Sequence, residues 1–142
     1  MQYIINKNIN ELRKEINKTK DLVVVEAGNE NLNKFLVANQ KIDIIFNFEK
    51  FSGRDYFNIR NSGLNQVVCA SLKKNNIKVG FSFSEVLKKE NKERAVLLGK
   101  MMQNVRFCKK YKVKMIFDNF SDNTKEIRDK VCLNAFARVL GF

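Results

Sequence analysis

The stretch Leu22-Val23-Val24-Val25-Glu26-Ala27, followed directly by Gly28-Asn29, decides the fold of this chain. A run of β-branched residues is typical of a strand that is buried on both faces, as strands are in parallel sheets. The glycine and asparagine then favour a turn. The next stretch places Leu32, Phe35 and Leu36 on one side of a helix. Together these segments form one predicted βα unit.

The same order of strand and helix recurs on both sides of this unit. A short apolar start at residues 3–6 precedes Ile9, Leu12 and Ile16 at helical spacing. Further strands are predicted at residues 42–48, 77–83 and 113–118, and further helices at residues 63–75, 92–110 and about 125–140. Residues 49–61 are polar and irregular, which predicts a loop. This alternation favours a parallel sheet with right-handed crossovers.

Chain length limits how such a sheet closes. The chain has 142 residues, whereas a closed barrel of eight βα units takes about 250. We therefore predict a single α/β domain over residues 1–142 that forms part of a barrel, or an open and shortened version of one. No apolar run reaches the roughly 20 residues needed to cross a bilayer. The first residues do not resemble a signal peptide, so we expect a cytoplasmic protein with no membrane partner.

Charge is the most unusual property of the composition. Lysine and arginine number 27 against 15 aspartates and glutamates, which gives a formal net charge of +12 and a pI near 9.8. A surplus of this size attracts polyanions and makes their binding depend on salt. Because the charges also cluster along the chain, nucleic acid is favoured over a basic surface kept for solubility.

Residue types that carry conventional catalysis are scarce. Histidine is absent, which removes the commonest general base and transition-metal ligand. Cys69, Cys108 and Cys132 are far apart in the sequence. We expect free thiols, with Cys69 and Cys132 buried in apolar helical patterns. Because no glycine-rich phosphate loop is present either, disulfides, zinc fingers and nucleotide cofactors have no support from the sequence.

One catalytic alternative stays open at this point. Glu26 and Asp118 end predicted strands, where the active sites of α/β barrels gather. With Asp43 as a third ligand, they could hold Mg²⁺ in a small metal-dependent phosphoesterase. Isolated acids at strand ends also cap helices and accept hydrogen bonds from backbone amides. We therefore expect no metal to be bound by the protein.

Two acid-free stretches carry the predicted nucleic-acid contacts. The first lies between Glu93 and Asp118 and contains Arg94, Lys100, Arg106, Lys109, Lys110, Lys112 and Lys114. Helical spacing places Arg106, Lys109 and Lys110 near one another on the last turns of the long helix. Cations are expected at a helix C-terminus because they complement its dipole. Seven cations without an acid are more than a helix dipole requires, so this stretch favours contact with phosphates.

The second acid-free stretch lies between Asp55 and Glu85. Arg60, Asn61 and Ser62 precede a predicted helix start, where they offer donors suited to a phosphate or sugar edge. In the preceding loop, the aromatic residues Phe51, Tyr56 and Phe57 could stack on an unpaired base or pin the loop to the core.

The stretch Arg60-Asn61-Ser62-Gly63-Leu64-Asn65-Gln66-Val67 resembles a loop-and-helix motif in a known family, the thirty-kilodalton protein subunit of archaeal and eukaryotic ribonuclease P. The resemblance continues on both sides, in the order found in that family. It includes Val23-Val24-Val25-Glu26, Lys41-Ile42-Asp43-Ile44-Ile45, Val79-Gly80-Phe81-Ser82-Phe83-Ser84, Arg94-Ala95, Cys108-Lys109-Lys110-Tyr111-Lys112-Val113, Glu126-Ile127-Arg128 and Leu140-Gly141-Phe142. The shared order of these motifs across nearly the whole chain carries the resemblance.

The resemblance implies a shortened or incomplete TIM-like (PHP-like) barrel that lacks the metal ligands of the related phosphoesterases. It also implies a non-catalytic subunit, because the catalyst of ribonuclease P is its RNA, which uses Mg²⁺ to cut the 5′ leader from precursor tRNA. The protein itself would bind no cofactor. Its expected partners are the ribonuclease P RNA, a small ferredoxin-like protein subunit and, indirectly, precursor tRNA. The RNA-binding residues we predict are Arg60, Asn61, Ser62, Arg94, Arg106, Lys109, Lys110 and Arg128.

The chain also departs from the family's pattern. Only about twenty residues precede the strand at residues 22–27, where members of the family usually carry one or two further βα units. Gln66 stands where histidine is common, and Asp118-Asn119-Phe120-Ser121 follows the family's serine-rich turn only loosely. Besides the phosphoesterase, a general RNA-binding scaffold unrelated to ribonuclease P stays open as an alternative.

Overall fold

The structure is a computed structural model that describes residues 2–5, 8–50 and 53–142. Within these residues, strands and helices alternate along the chain. The strands are β1 (Tyr3–Ile4), β2 (Val24–Glu26), β3 (Ile44–Phe46), β4 (Lys78–Ser82) and β5 (Met115–Asp118). The helices are α1 (Ile9–Lys18), α2 (Glu30–Val37), α3 (Gln66–Lys74), α4 (Phe83–Lys88), α5 (Asn91–Tyr111) and α6 (Lys130–Val139), with one 3-10 turn at Thr124–Glu126.

The five strands form one parallel sheet in the order in which they occur in the chain. Right-handed crossovers between strands that are neighbours in both sequence and space place all the connecting helices on one face. That arrangement is the one found in TIM-like barrels, whereas a doubly wound sheet reverses its strand order and carries helices on both faces. The predicted α/β class and incomplete TIM-like barrel are confirmed.

Each face of the sheet has its own apolar layer. The larger core lies between the helices and the outward side chains of the strands, such as Val25, Ile45 and Val79. The inner face is filled by a smaller cluster that includes Phe46 and Phe120, whose rings stack with their centroids 4.7 Å apart. Gly80 lies beneath this stack, and a Cβ there would lie 2.6 Å from Phe120 Cζ and 2.8 Å from Phe46 Cβ. The inner face is therefore packed with side chains, and only glycine fits at position 80.

Asparagine and aspartate side chains set where four of the helices begin. The side chains of Asn29, Asn65 and Asp129 each accept a hydrogen bond of 2.8–2.9 Å from the amide three residues later. Asn8 accepts from Asn10 N at 3.0 Å. Short polar side chains of this kind satisfy amides that have no partner inside the helix. Such caps are a reason why a chain without proline can still place its helix starts.

Most predicted strands and helices are observed with ends shifted by one or two residues, and three of the differing boundaries have a clear local cause. The strand expected at residues 77–83 ends at Ser82, because the Ser82 hydroxyl bonds to Asn119 O at 3.0 Å and the chain turns into the unpredicted helix α4. The helix expected from residue 63 begins at Gln66, since Gly63 has a positive φ of 86°. The last helix begins at Lys130 instead of about residue 125, because the residues before it form the separate turn Thr124–Glu126. Of the predicted start at residues 3–6, the strand occupies Tyr3–Ile4, and Asn6 lies outside the described residues.

The thiols are free, as predicted, but their burial was predicted incorrectly at one position. Cys69 and Cys108 are buried, whereas Cys132 is partly exposed. Cys132 lies on α6, which packs against the edge strand β5 and leaves much of its own surface uncovered. None of the described helices is both long enough and apolar enough to span a bilayer.

Candidate nucleic-acid interface

The predicted cations of the long helix lie at its two ends. Helix α5 has 21 residues, which corresponds to about 30 Å at 1.5 Å per residue. Arg94 lies in its first turn, whereas Arg106, Lys109 and Lys110 lie in its last turns. The structure therefore separates one acid-free stretch of sequence into two regions that are about 20 Å apart along the helix axis.

The C-terminal region of α5 presents an exposed basic surface. Arg106, Lys109 and Lys110 are all exposed. Lys109 Nζ hydrogen-bonds the carbonyl of Gly141, and Lys110 Nζ lies 5.4 Å from the centroid of the Tyr111 ring. Within the part of the chain that the structure describes, no carboxylate forms an ion pair with any of these three cations. We call these three residues the α5 C-terminal patch, and their charges are available to an outside anion.

Arg94 and Arg128 are partly buried and already donate to backbone carbonyls. Arg94 Nε donates to Val86 O at 2.9 Å, which braces α4 against α5. Arg128 Nη1 donates to Lys125 O at 2.8 Å and to Ile127 O at 3.1 Å. Both side chains thus stabilise turns near the carboxyl end of the sheet.

Of the three predicted contacts before α3, one is turned inwards. Arg60 is half-exposed, and its Nη1 lies 3.7 Å from Asp55 Oδ2. Asn61 Oδ1 accepts from Gly63 N at 3.2 Å. Ser62 is only 1% exposed, and its hydroxyl accepts from Gln103 Nε2 at 3.0 Å. The expectation that the Ser62 hydroxyl meets RNA is therefore not met in this conformation, since Ser62 instead ties its loop to α5.

The two loop aromatics that the structure describes are both exposed. The Tyr56 side chain is 60% exposed and Phe57 is fully exposed. Neither ring is packed into the core, so both remain accessible for stacking on a base. Phe51, the third aromatic residue, lies outside the described residues.

The carboxylates considered for a metal site do not come together. Asp43 precedes β3 and accepts a hydrogen bond from Val23 N at 2.8 Å, which places it at the amino end of the sheet. Glu26 and Asp118 end β2 and β5 at the opposite end, and Asp118 Oδ1 accepts from Asn119 N at 2.7 Å. Among the residues that the structure describes, no three Asp, Glu, Cys or His side chains are grouped to hold a metal ion. The ligand set of the phosphoesterase alternative is therefore not assembled.

A lysine already occupies the space between two of the acids at the carboxyl end. Lys50 Nζ lies 3.1 Å from Glu26 Oε1 and 3.3 Å from Glu85 Oε1. Asn47 Nδ2 also donates to Glu26 Oε1, at 2.7 Å. Burial lowers the pKa of Lys50, but the hydrogen bonds and charges of the two glutamates outweigh it, so that the net pKa is raised. The ammonium thus stays charged and neutralises carboxylates that would otherwise be costly to bury.

Asn104 and Glu49 form a second buried polar contact between α5 and the loop after β3. Asn104 is fully buried, and its Nδ2 donates to Glu49 Oε2 at 3.0 Å and to Ser62 O at 2.8 Å. Burial, opposed by a backbone hydrogen bond and by the hydrogen bond from Asn104, raises the pKa of Glu49 to about 7. Neither Asn104 nor Glu49 was predicted as a functional residue from the sequence. One signal was present, because Asn104 lies between Met101 and Cys108 on the apolar stripe of α5, where a polar side chain is expected to be buried and paired.

Comparison with known proteins places the chain in a family. The family model of RNase P subunit p30 matches residues 4–142. The chain is 27% identical to Ribonuclease P protein component 3 of Methanosarcina barkeri over 124 residues, covering 87% of this chain and 48% of that protein. It is 26% identical to the protein of the same name from Methanosarcina acetivorans over 141 residues, covering 97% of this chain and 56% of that protein.

The fold is also shared with a solved structure. A chain of the "cryo-EM structure of archaeal Ribonuclease P with mature tRNA" superimposes with a TM-score of 0.79 at 21% sequence identity, covering 98% of this chain and 58% of that one. The chain spans about half the length of the curated relatives it matches. Because the family model matches all but the first three residues, the chain belongs to the RNase P subunit p30 family.

Proposed function

We propose that the chain acts as a non-catalytic protein subunit of ribonuclease P, which binds the catalytic RNA and supports 5′ maturation of precursor tRNA. The match to the family model over residues 4–142 carries this proposal. The relatives named Ribonuclease P protein component 3 support it. The net charge of this chain, +12, fits an RNA partner.

The mechanism that we propose is electrostatic. Cations of the α5 C-terminal patch neutralise RNA phosphates and release counterions, which lowers the repulsion between RNA segments that must lie close together. Arg60 and Asn61 contribute at the loop before α3, and Arg94 and Arg128 contribute from the carboxyl end of the sheet. Mg²⁺ is then used by the RNA and not by the protein, in keeping with the Lys50 ammonium that lies between Glu26 and Glu85.

A protein partner is part of the same proposal. Val131 and Val139 on α6 are 77% and 62% exposed, and Phe142 at the end of the chain is 63% exposed. Apolar side chains that share one region of the surface favour contact with another protein. We assign this region to a small ferredoxin-like subunit, with precursor tRNA reached indirectly through the RNA.

Reconstitution with a cognate RNA and precursor tRNA tests the proposal. Cleavage is measured against Mg²⁺ concentration with the RNA alone, with the RNA and this protein, and with the protein alone. We expect the protein to lower the Mg²⁺ concentration needed for cleavage and to cleave nothing by itself. Cleavage without the RNA would overturn the non-catalytic assignment. Binding to the RNA with an unchanged Mg²⁺ requirement would instead indicate a general RNA-binding scaffold.

Substitutions of matched charge locate the RNA-binding surface. Changing Arg106, Lys109 and Lys110 to glutamine removes three exposed cations, so the slope of log K against log salt should fall by about 2–3. The control changes three exposed cations at the opposite edge of the sheet, Lys14, Lys18 and Lys20, and should lower the slope by about 1 or less. Equal effects of the two sets would contradict the α5 C-terminal patch as the contact surface.

A further inference from the structure

A separate cavity opens at the carboxyl end of the sheet, beside the start of α5. Its volume is about 310 Å³, and its charged lining consists of Lys50, Lys89, Lys92, Lys100, Glu49 and Glu93. None of the four lysines is among the predicted RNA-binding residues. The start of α5 is also about 20 Å along the helix axis from the α5 C-terminal patch. We call this space the lysine cavity.

The lysines converge because of helix geometry. Lys92 and Lys100 are eight residues apart on α5, with Val96 between them, so that all three lie on one face of the helix. Lys89 lies two residues before the first residue of α5 and reaches the cavity from the α4 side. Lys89 and Lys100 are partly buried. Partly buried ammonium groups are screened by salt less than exposed ones and interact more strongly with an anion.

The glutamates around the lysine cavity neutralise only part of its positive charge. Glu26 and Glu85 pair with Lys50. In residues 8–50 and 53–142, no ion pair involves Lys89 or Lys92. Glu93 lies exposed at the rim, in the first turn of α5. The pKa of about 7 for Glu49 means that this acid is largely neutral just below neutral pH and opposes an anion less than an ordinary glutamate does.

The start of α5 adds donors at the same place. Its N-cap residue, Glu90, makes no side-chain hydrogen bond to the first turn. Lys92 and Glu93 belong to that turn and line the cavity. Amides at the start of a 21-residue helix carry partial positive charge, and a phosphate is a ligand that they bind well. The lysine cavity thus combines a concave space, two lysines (Lys89 and Lys92) that form no ion pair with a described residue, and helix amides without a side-chain cap.

We propose that the lysine cavity binds a phosphate group, with Lys89 and Lys92 as its principal charged ligands. The phosphate belongs either to the backbone of an RNA or to a free phosphate compound, and the chemistry of recognition is the same for both. The RNA source rests on the proposed function, whereas binding of the phosphate group does not.

The first experiment uses inorganic phosphate as the probe. Phosphate is titrated at constant ionic strength against ¹⁵N-labelled protein, with chloride as the reference anion. The unchanged protein should show saturable shifts of the Asn91, Lys92 and Glu93 amides. Changing Lys89 and Lys92 together to glutamine should weaken this binding about tenfold or more. The absence of saturable shifts in the unchanged protein would overturn the proposal.

A matched control separates the site from overall charge. Changing Lys14 and Lys18 on α1 to glutamine removes the same charge from exposed positions on a different helix and should leave phosphate affinity within about twofold. Equal weakening by both pairs of substitutions would overturn the proposal, because the effect would then reflect net charge alone. Far-UV circular dichroism confirms that each variant is folded before titration.

An RNA-binding titration against salt identifies the source of the phosphate. If the cavity holds an RNA phosphate, the Lys89 and Lys92 double variant should lower the slope of log K against log salt by about 1–2, and the Lys14 and Lys18 variant should lower it less. Loss of phosphate binding with an unchanged slope supports a free phosphate compound as the ligand and excludes the RNA source. Failure of reconstitution with intact phosphate binding would overturn the proposed function and leave the cavity assignment standing.

Discussion

Replacing Glu49 by glutamine tests the electrostatics of the buried contact between α5 and the loop after β3. Glu49 is 3% exposed, and its Oε2 accepts a hydrogen bond from Asn104 Nδ2 at 3.0 Å. Glutamine has nearly the same shape and retains an oxygen that can accept this bond, but it cannot ionise. The substitution therefore removes the titration of Glu49 and keeps most of its packing.

The magnitude follows from the pKa of Glu49 in the two states. Burial, as the largest cause, raises the pKa from 4.5 to about 7 in the folded protein. Between these two values the unfolded chain has lost its proton at Glu49 while the folded protein keeps it. The unfolded state then binds fewer protons, so the free energy of unfolding falls as pH rises through this interval. The total loss is about 3 kcal/mol, and it levels off above pH 7.

Urea denaturation at a series of pH values measures this effect. Far-UV circular dichroism is the natural probe because the chain contains no tryptophan. We expect the free energy of unfolding of Glu49→Gln, minus that of the unchanged protein, to increase by about 3 kcal/mol between pH 4.5 and pH 8. Taking the difference cancels the titration of all other groups.

The control is Glu30→Gln. The Glu30 side chain is 83% exposed and pairs with Lys34 one helical turn away. Exposed pairs of this kind contribute little to stability. The free energy of unfolding of Glu30→Gln, minus that of the unchanged protein, should therefore change by no more than about 0.5 kcal/mol across the same pH range. If the Glu49→Gln difference is equally flat, the assignment of Glu49 as a buried acid with a raised pKa is wrong.

Four further predictions concern packing and thiol reactivity. Gly80→Ala should lower the free energy of unfolding by about 1–3 kcal/mol in urea titrations, because its methyl group would collide with the aromatic stack on the inner face. Gly99→Ala, whose added methyl group meets no atom closer than 4.0 Å, should instead raise it by about 0.5–1 kcal/mol. Asn104→Ala should cost about 1–3 kcal/mol and should speed proteolysis in residues 53–62, while unchanged cleavage would show that Asn104 does not hold that loop. Cys132 should react with a thiol reagent at pH 8 well before Cys69, because burial raises the pKa of Cys69 to about 11; simultaneous modification would contradict this order.

The strand pattern was predictable from sequence for a physical reason. Both faces of β2 and β3 are covered, so selection for burial acts on consecutive residues and leaves uninterrupted apolar runs such as Val23-Val24-Val25. The helix starts were harder to predict. Both Asn123 and Asp129 can cap a helix, and only the structure shows that the first caps a short turn while the second caps α6.

The candidate site was less predictable because it depends on distances across space. An acid-free stretch looks continuous in the sequence, but Arg94 and Lys110 lie near opposite ends of helix α5. Ser62 illustrates the second difficulty. A hydroxyl before a helix start is equally suited to a phosphate and to a partner within the protein. Here the partner is Gln103, more than forty residues away in the sequence, which donates a hydrogen bond to the Ser62 hydroxyl.

The sequential order of the strands has a consequence for how the protein can vary in length. Each βα unit packs mainly against the units before and after it in the chain, as in repeat proteins. Adding or removing a unit at an edge of the sheet would therefore leave the register of β2, β3 and β4 unchanged. Such modularity allows relatives whose chains extend beyond the matched region to add surface at the edges while the interior stays the same.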